Sequence, residues 1–149
     1  ALCGRFYGSR DGRSLRSAVR LLMGWSLLVG VLFTLLYALD GEGMVRLMTS
    51  DEAIVGGSRP YLPWLTMMPV VSCLAFMWDG IYIGATAGKA TRNAMLIAAA
   101  GFLLCYLALA PSCGLHALYA AYMAHLVLRA LYLTLRWPST RLAPTPVNP

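Results

Sequence analysis

Four long apolar stretches constrain this chain more than any other feature of its sequence. They cover residues 21–39, 61–88, 94–110 and 115–135, and each is about as long as a helix must be to cross roughly 30 Å of hydrocarbon. Hydrophobic residues make up 59% of the 149 residues and charged residues only 12%, about half the charged fraction of a soluble domain. So few charges cannot supply the polar surface of a soluble fold. The sequence therefore predicts an all-α fold of four transmembrane helices and excludes a cytosolic enzyme.

The charged residues between the apolar stretches predict the orientation in the membrane. Residues 1–20 hold five arginines, whereas residues 40–60 hold two arginines and four acidic residues. Lys89 and Arg92 follow the second stretch, and Arg136 and Arg141 follow the fourth. Because positive segments near the ends of spans stay in the cytoplasm, we expect both termini to be cytoplasmic. The net charge of +6 is interpreted as attraction to the lipid bilayer, since no basic and aromatic stripe indicates nucleic acid.

The two ends of the chain carry separate expectations. The chain begins with Ala-Leu-Cys and not with Met, so we expect it to be a fragment of a longer product. The last twelve residues, 138–149, contain four prolines, which cannot continue a helix. We predict a disordered cytoplasmic tail there.

Motifs that would indicate an enzyme are missing from the sequence. It has no nucleophile elbow, phosphate-cradling loop, metalloprotease helix or paired carboxylates, and its four cysteines lack metal-site spacing. His116 and His125 are nine residues apart, which places them on opposite faces of one helix, so they cannot share a ligand. The sequence therefore predicts no catalytic activity, no metal site and no cofactor.

Asp79 is the residue most in need of an explanation. A carboxylate at the centre of a membrane helix costs about 2.5 to 3.5 kcal/mol even on the lenient insertion scale. Arg129 on the fourth stretch is expected at a similar depth, because each residue lies roughly 10 Å from the cytoplasmic boundary of its own span. The two side chains are thus candidate partners. Either they form a permanent ion pair that holds two helices in register, or Asp79 releases and binds a proton or cation during transport.

Small residues and a proline surround Asp79 on the second stretch. Gly80, Gly84 and Gly88 recur every four residues, which predicts a stripe where another helix backbone can approach closely, or where the helix can bend. Pro69 removes one backbone donor. We expect a kink or a broken helix at this proline, a feature common in transporter sites.

Several segments resemble the multidrug and toxic compound extrusion (MATE) transporters, specifically their DinF (DNA-damage-inducible protein F) branch. The segment Trp78–Thr86 and the following Arg92-Asn93-Ala94-Met95 look like the DGxFIGAT and RNxM segments of that branch. Gly4 and the run Tyr7-Gly8-Ser9-Arg10-Asp11 are similar to its G-x-x-YGxRD segment. The motif residues carried over are Gly8, Arg10, Asp11, Arg92 and Asn93.

The resemblance implies a twelve-helix antiporter of two six-helix lobes that exports drugs or metabolites in exchange for H⁺ or Na⁺. Residues 1–20 would be the end of the eighth helix and a loop, and 21–137 would be helices nine to twelve of the C-terminal lobe in a bacterial inner (plasma) membrane. The helices of the N-terminal lobe would then be partners, in the same chain or separate. By the same resemblance Asp79 is a candidate ion-coupling residue, and the exported small molecule is unknown.

Two other classes of function remain open from the sequence. A free-standing four-helix membrane protein would act by associating with other membrane proteins through the Gly80, Gly84 and Gly88 stripe. A membrane enzyme is a weaker alternative, because no second catalytic group accompanies Asp79 at a usable spacing.

Overall fold

The computed structural model describes residues 2–9 and 11–137. Its α-helices are α1 (Leu2–Gly8), α2 (Gly12–Met48), α3 (Glu52–Ser58), α4 (Leu62–Gly84), α5 (Gly88–Cys113) and α6 (Leu115–Arg136), with a 3-10 turn at Arg59–Tyr61 between α3 and α4. The described residues contain no strand, and four helical segments are long and apolar enough to cross a membrane. The predicted all-α fold with four spans is confirmed. The predicted tail, 138–149, and Arg10 lie outside the described residues.

Helix α2 begins earlier than the first apolar stretch. Asp11 caps it, because its Oδ1 accepts a hydrogen bond from the backbone N–H of Ser14 at 3.0 Å. Over the first turns Leu15 and Val19 are buried, whereas Arg16 and Arg20 are exposed. The arginine-rich stretch therefore forms an amphipathic helical extension, and the predicted loop within residues 1–20 is limited to the few residues between α1 and α2.

Helix α2 changes direction at Asp40, the first residue after the predicted first span. Asp40 has φ −147° and ψ 69°, outside the helical region. Its Oδ1 accepts a hydrogen bond from the backbone N–H of Gly43 at 2.8 Å, so it caps the second part of the helix as an N-cap residue does. The apolar part of α2 thus ends at Leu39, directly before Asp40.

Helix α4 continues through Pro69, so of the two expectations for this proline the broken helix is wrong and the kink stays a prediction. The helix ends at Gly84, four residues before the predicted end of the second span at Gly88. Residues 85–87 form a turn in which Thr86 has a positive φ of 54°. Gly88 consequently starts α5 and does not continue the face of α4.

The connection between α5 and α6 is shorter than expected. Pro111 lies inside the last turn of α5, and Gly114 alone separates the two helices. Gly114 has φ 52°, a left-handed conformation that glycine adopts at little cost. Of the four residues 111–114 that separate the third and fourth apolar stretches, only Gly114 lies outside a helix.

The four long helices pack so that α4 lies between α2 and α6. Helices α2 and α4 are antiparallel, with Gly30 near Val70 and Gly41 near Leu62, whereas α4 and α6 are parallel, because Trp64 contacts His116 and Tyr82 contacts Leu133. A buried core lies at the end where α2 begins, and it includes Leu15, Val19, Trp78, Ile81, Tyr82, Ala94 and Leu133. Many large apolar side chains elsewhere on the long helices are exposed, as expected of surfaces that face lipid or further helices.

Candidate functional site

The parallel arrangement of α4 and α6 brings Asp79 and Arg129 together. The sequence offset between facing residues stays close to fifty along the whole interface: 52 for Trp64 and His116, 50 for Asp79 and Arg129, and 51 for Tyr82 and Leu133. Two parallel helices with the same rise per residue keep such an offset constant. The two charged residues therefore face each other as a consequence of helix register.

The contact between the two charged groups is side-on. Arg129 Nε donates a hydrogen bond to Asp79 Oδ1 at 3.0 Å, and Arg129 Nη2 forms an ion pair with Asp79 Oδ2. This two-point geometry uses the planar guanidinium and both carboxylate oxygens, and it is among the strong forms of ionic hydrogen bond in proteins.

The pair is largely withdrawn from the surface. The side chains of Asp79 and Arg129 are 9% and 11% exposed. Each charge would be costly alone in this environment, and the partner's charge offsets much of that cost. Anything that separates the two groups must therefore supply a substitute partner or a proton.

Two contacts flank the pair toward the end of the bundle that holds the buried core. Tyr82 donates its hydroxyl hydrogen to the backbone carbonyl of Leu133 at 2.8 Å, and both residues are fully buried. The rings of Trp78 and Trp137 lie 5.5 Å apart. These contacts hold the last turns of α4 and α6 together beside the ion pair.

An aromatic cluster lies at the opposite end of the same interface. Trp64 Nε1 donates a hydrogen bond to His116 Nδ1 at 3.1 Å. The ring of Tyr61 lies 4.8 Å from the ring of His116 and stacks on Tyr119 at 5.2 Å. From the sequence alone, Trp64, near the start of the second apolar stretch, is interpreted as a membrane-interface anchor. Asp79 and Arg129 are 50 residues apart and Trp64 and His116 are 52 residues apart. Pairing the first two on parallel helices would therefore have predicted the contact of the second two.

His125 lies one turn before Arg129 on α6 and stacks on Tyr122, with their ring centroids 6.4 Å apart. Both residues line a mainly apolar cavity of about 390 Å³ between α5 and α6, together with Ala99, Phe102 and Leu103. Tyr122 and His125 are the residues of α6 that face this cavity. Arg129 follows His125 by one helical turn. An aromatic, apolar cavity of this size suits part of a small organic molecule.

The predicted stripe of Gly80, Gly84 and Gly88 is wrong in one respect, because Gly88 lies on α5 and not on α4. A Cβ added at Gly80 or Gly88 would meet no other described atom within 4 Å, apart from neighbouring backbone. Gly84 does meet another helix, because its carbonyl oxygen would lie 2.6 Å from a Cβ at Gly4 of α1. The close approach is therefore a single crossing of α1 and α4, and Gly88 belongs to a different helix.

The remaining motif residues lie away from the ion pair. Gly8 ends α1, and Asp11 caps α2. Hydrogen bonds from the side chain and backbone of Ser14 lower the pKa of Asp11. Arg92 donates to Asn93 Oδ1 at 3.4 Å from both Nε and Nη2, near the start of α5. These residues stabilise or border helix ends at the end of the bundle where α2 begins.

Comparison with known proteins agrees with the resemblance drawn from the motifs. A model of the MatE family matches residues 1–111. The DNA damage-inducible protein F of Escherichia coli (strain K12) is 41% identical over 134 residues, which are 90% of this chain and 29% of that protein. The chain thus spans less than a third of the length of this curated relative, and no solved structure matches it. Since the family model covers most of the chain and includes the segment around Asp79, the chain belongs to the MatE family.

Proposed function

We propose that this chain is the C-terminal portion of a MatE efflux transporter that exports drugs or metabolites in exchange for H⁺ or Na⁺. The buried Asp79–Arg129 pair between two membrane-spanning helices carries the proposal. Intramembrane charges of this kind commonly mark ion pathways. The 41% identity to a protein more than three times as long supports the view that further helices complete the transporter.

Competition for one carboxylate would couple the ion to the movement of the helices. Arg129 contacts both oxygens of Asp79, so a proton or Na⁺ that binds Asp79 competes with the guanidinium for the carboxylate charge and weakens the contact. The weakened contact frees α4 and α6 to change their relative position in the middle of their interface. Alternating access between two lobes would then follow ion occupancy at this site.

The orientation in a bacterial inner membrane belongs to the same proposal. Five arginines precede the first span and Lys89 and Arg92 lie at the start of α5, and the positive-inside rule places both regions in the cytoplasm. Asp79 would then lie roughly seven residues, or about 10 Å, from the cytoplasmic boundary. An externally added label that reacts with Cys113 but not with a cysteine introduced at Arg20 supports this orientation, and the reverse pattern contradicts it.

The size of the native polypeptide separates this proposal from a free-standing four-helix protein. An antibody against residues 141–149 should detect a product roughly three times as long as this chain in its source membrane, as twelve spans require. A product near 16.2 kDa would contradict the proposal and favour a membrane protein that acts by helix association.

Transport by the whole protein tests the activity itself. Cells that produce it should retain less of a fluorescent cationic drug than cells with an empty vector. A protonophore should abolish the difference if H⁺ is the coupling ion, and removal of Na⁺ should do so if Na⁺ is. Equal retention with and without the protein, over a panel of drugs and metabolites, would contradict an efflux function.

A further inference from the structure

A basic cavity lies where the turn between α4 and α5 meets the last turn of α6. It measures about 470 Å³, and the polar side chains that line it are Thr86, Lys89, Asn93 and Arg136. Lys89 belongs to α5 and Arg136 to α6. Two cationic side chains from different helices therefore border one cavity at the same end of the bundle.

The lining has the chemistry of an anion site. Every described residue that lines the cavity is neutral or basic. The guanidinium of Arg136 lies over the ring of Tyr132, 5.5 Å from its centroid, which restrains where that group can lie. A guanidinium forms two-point hydrogen bonds with phosphate oxygens, an ammonium adds a point charge, and Asn93 and Thr86 offer neutral donors.

The cavity opens beside surfaces suited to acyl chains. On α5, Leu96 and Ile97 are 64% and 44% exposed, and on α6, Leu135, the residue before Arg136, is 67% exposed. Leu96 lies seven residues after Lys89 and Ile97 lies four residues after Asn93, so both share the face of α5 that borders the cavity. A molecule with a phosphate group and two hydrocarbon chains would contact both the basic cavity and this apolar surface, whereas a free phosphate ion would contact only the cavity.

We propose that the cavity bordered by Lys89, Asn93 and Arg136 binds the phosphate headgroup of an anionic phospholipid, whose acyl chains lie along α5. Basic cavities between membrane helices at the membrane surface are suited to acidic headgroups. The bound lipid would tie the α4–α5 turn to the end of α6, next to the contacts that hold α4 against α6. This inference does not depend on transport activity, and its test measures lipid binding alone.

The experiment compares two double variants of the whole purified protein by native mass spectrometry. Lys89→Gln/Arg136→Gln removes both charges from the cavity. Arg16→Gln/Arg20→Gln is the matched control, since it removes two exposed charges from α2 at the same end of the bundle. The lipid probes are phosphatidylglycerol and phosphatidylcholine, and inorganic phosphate is added as competitor. A thermal unfolding curve for each variant shows that it is folded.

The proposal predicts that the cavity variant loses about tenfold or more in affinity for phosphatidylglycerol, while the control loses less than about threefold. It also predicts weaker binding of phosphatidylcholine and no displacement of phosphatidylglycerol by millimolar inorganic phosphate. Equal losses in both variants would overturn the proposal, because they would indicate a general surface charge effect. Full displacement by inorganic phosphate would overturn it in favour of a free phosphate site. If the double variant does not fold, Lys89→Gln alone, at an exposed position, is expected to lose about threefold, and unchanged affinity in that variant overturns the proposal.

Discussion

Asp79 and Arg129 meet side-on across two parallel helices, with Nε and Nη2 of the arginine directed at the two oxygens of the aspartate. The contact depends on register, since a shift of one helix by a single residue would turn one side chain away from the other by about 100°. The pair therefore reports on the alignment of α4 and α6. Replacing either residue tests both the stability of this alignment and its role in coupling.

Removing one partner of this pair should destabilise the protein more than removing both. Arg129→Met leaves a buried carboxylate without its cation, and we expect the free energy of unfolding to fall by about 3–5 kcal/mol. The double variant Asp79→Leu/Arg129→Met should recover most of this loss, because two apolar side chains replace two charges. Denaturant unfolding of the whole protein in detergent measures both. A double variant as unstable as the single one would contradict a direct pairing.

The hydrogen bond that Trp64 donates to His116 should form again when another side chain of similar length supplies the acceptor at position 116. In His116→Leu the indole N–H loses its acceptor, and we expect a loss of about 1 kcal/mol in the free energy of unfolding. In His116→Gln the amide oxygen can accept the same hydrogen, so the loss should be smaller. Tryptophan fluorescence during unfolding provides the measurement. Equal losses in both variants would show that ring packing against Tyr61 matters more than the hydrogen bond.

The crossing of α1 and α4 should tolerate no side chain at Gly4. A Cβ there would lie 2.6 Å from the carbonyl oxygen of Gly84, whereas a Cβ at Gly8 in the same helix meets nothing within 4 Å. Gly4→Ala should therefore destabilise the protein by about 1–3 kcal/mol, and Gly8→Ala should be neutral or slightly stabilising. Similar unfolding curves for the two variants would contradict the close approach.

Asp11 should stabilise the start of α2 through its ionised form. Its pKa is lowered in the folded protein by hydrogen bonds from Ser14, so this stabilisation is present above the unfolded pKa and is lost as the pH falls through the folded pKa. Asp11→Asn keeps a capping oxygen without the charge, and Asp11→Ala keeps neither. We expect melting temperatures at neutral pH in the order wild type, Asn variant, Ala variant. The gap between wild type and the Asn variant should narrow in acid, and a constant gap would contradict the assignment.

The number and type of the helices could be predicted from the sequence because the bilayer requires long apolar segments. The ends of these helices could not be read from hydropathy, since local capping decides them. Asp11 starts α2 within a stretch that looked like a charged loop, and Gly114 alone makes the turn that Pro111 suggested was longer.

The candidate site was partly predictable for a different reason. Depth in the membrane suggested Asp79 and Arg129 as partners, and the structure places them in contact. The contacts of Trp64 with His116 and of Tyr82 with Leu133 were not predicted, because they depend on which helices are neighbours. Hydropathy carries no information about neighbours. The spacing of Gly80, Gly84 and Gly88 suggested one helix face, and the turn at Thr86 interrupts it.

The measurement that tests the central claim most directly is transport by an Asp79→Asn variant of the whole protein in proteoliposomes. Two modes are compared: uptake driven by an H⁺ or Na⁺ gradient, and exchange of labelled for unlabelled substrate without a gradient. If Asp79 binds the coupling ion in competition with Arg129, gradient-driven uptake is lost while exchange continues in a folded protein. Gradient-driven uptake at the wild-type rate, with only the unfolding temperature lowered, would show that the pair is purely structural and contradict the account.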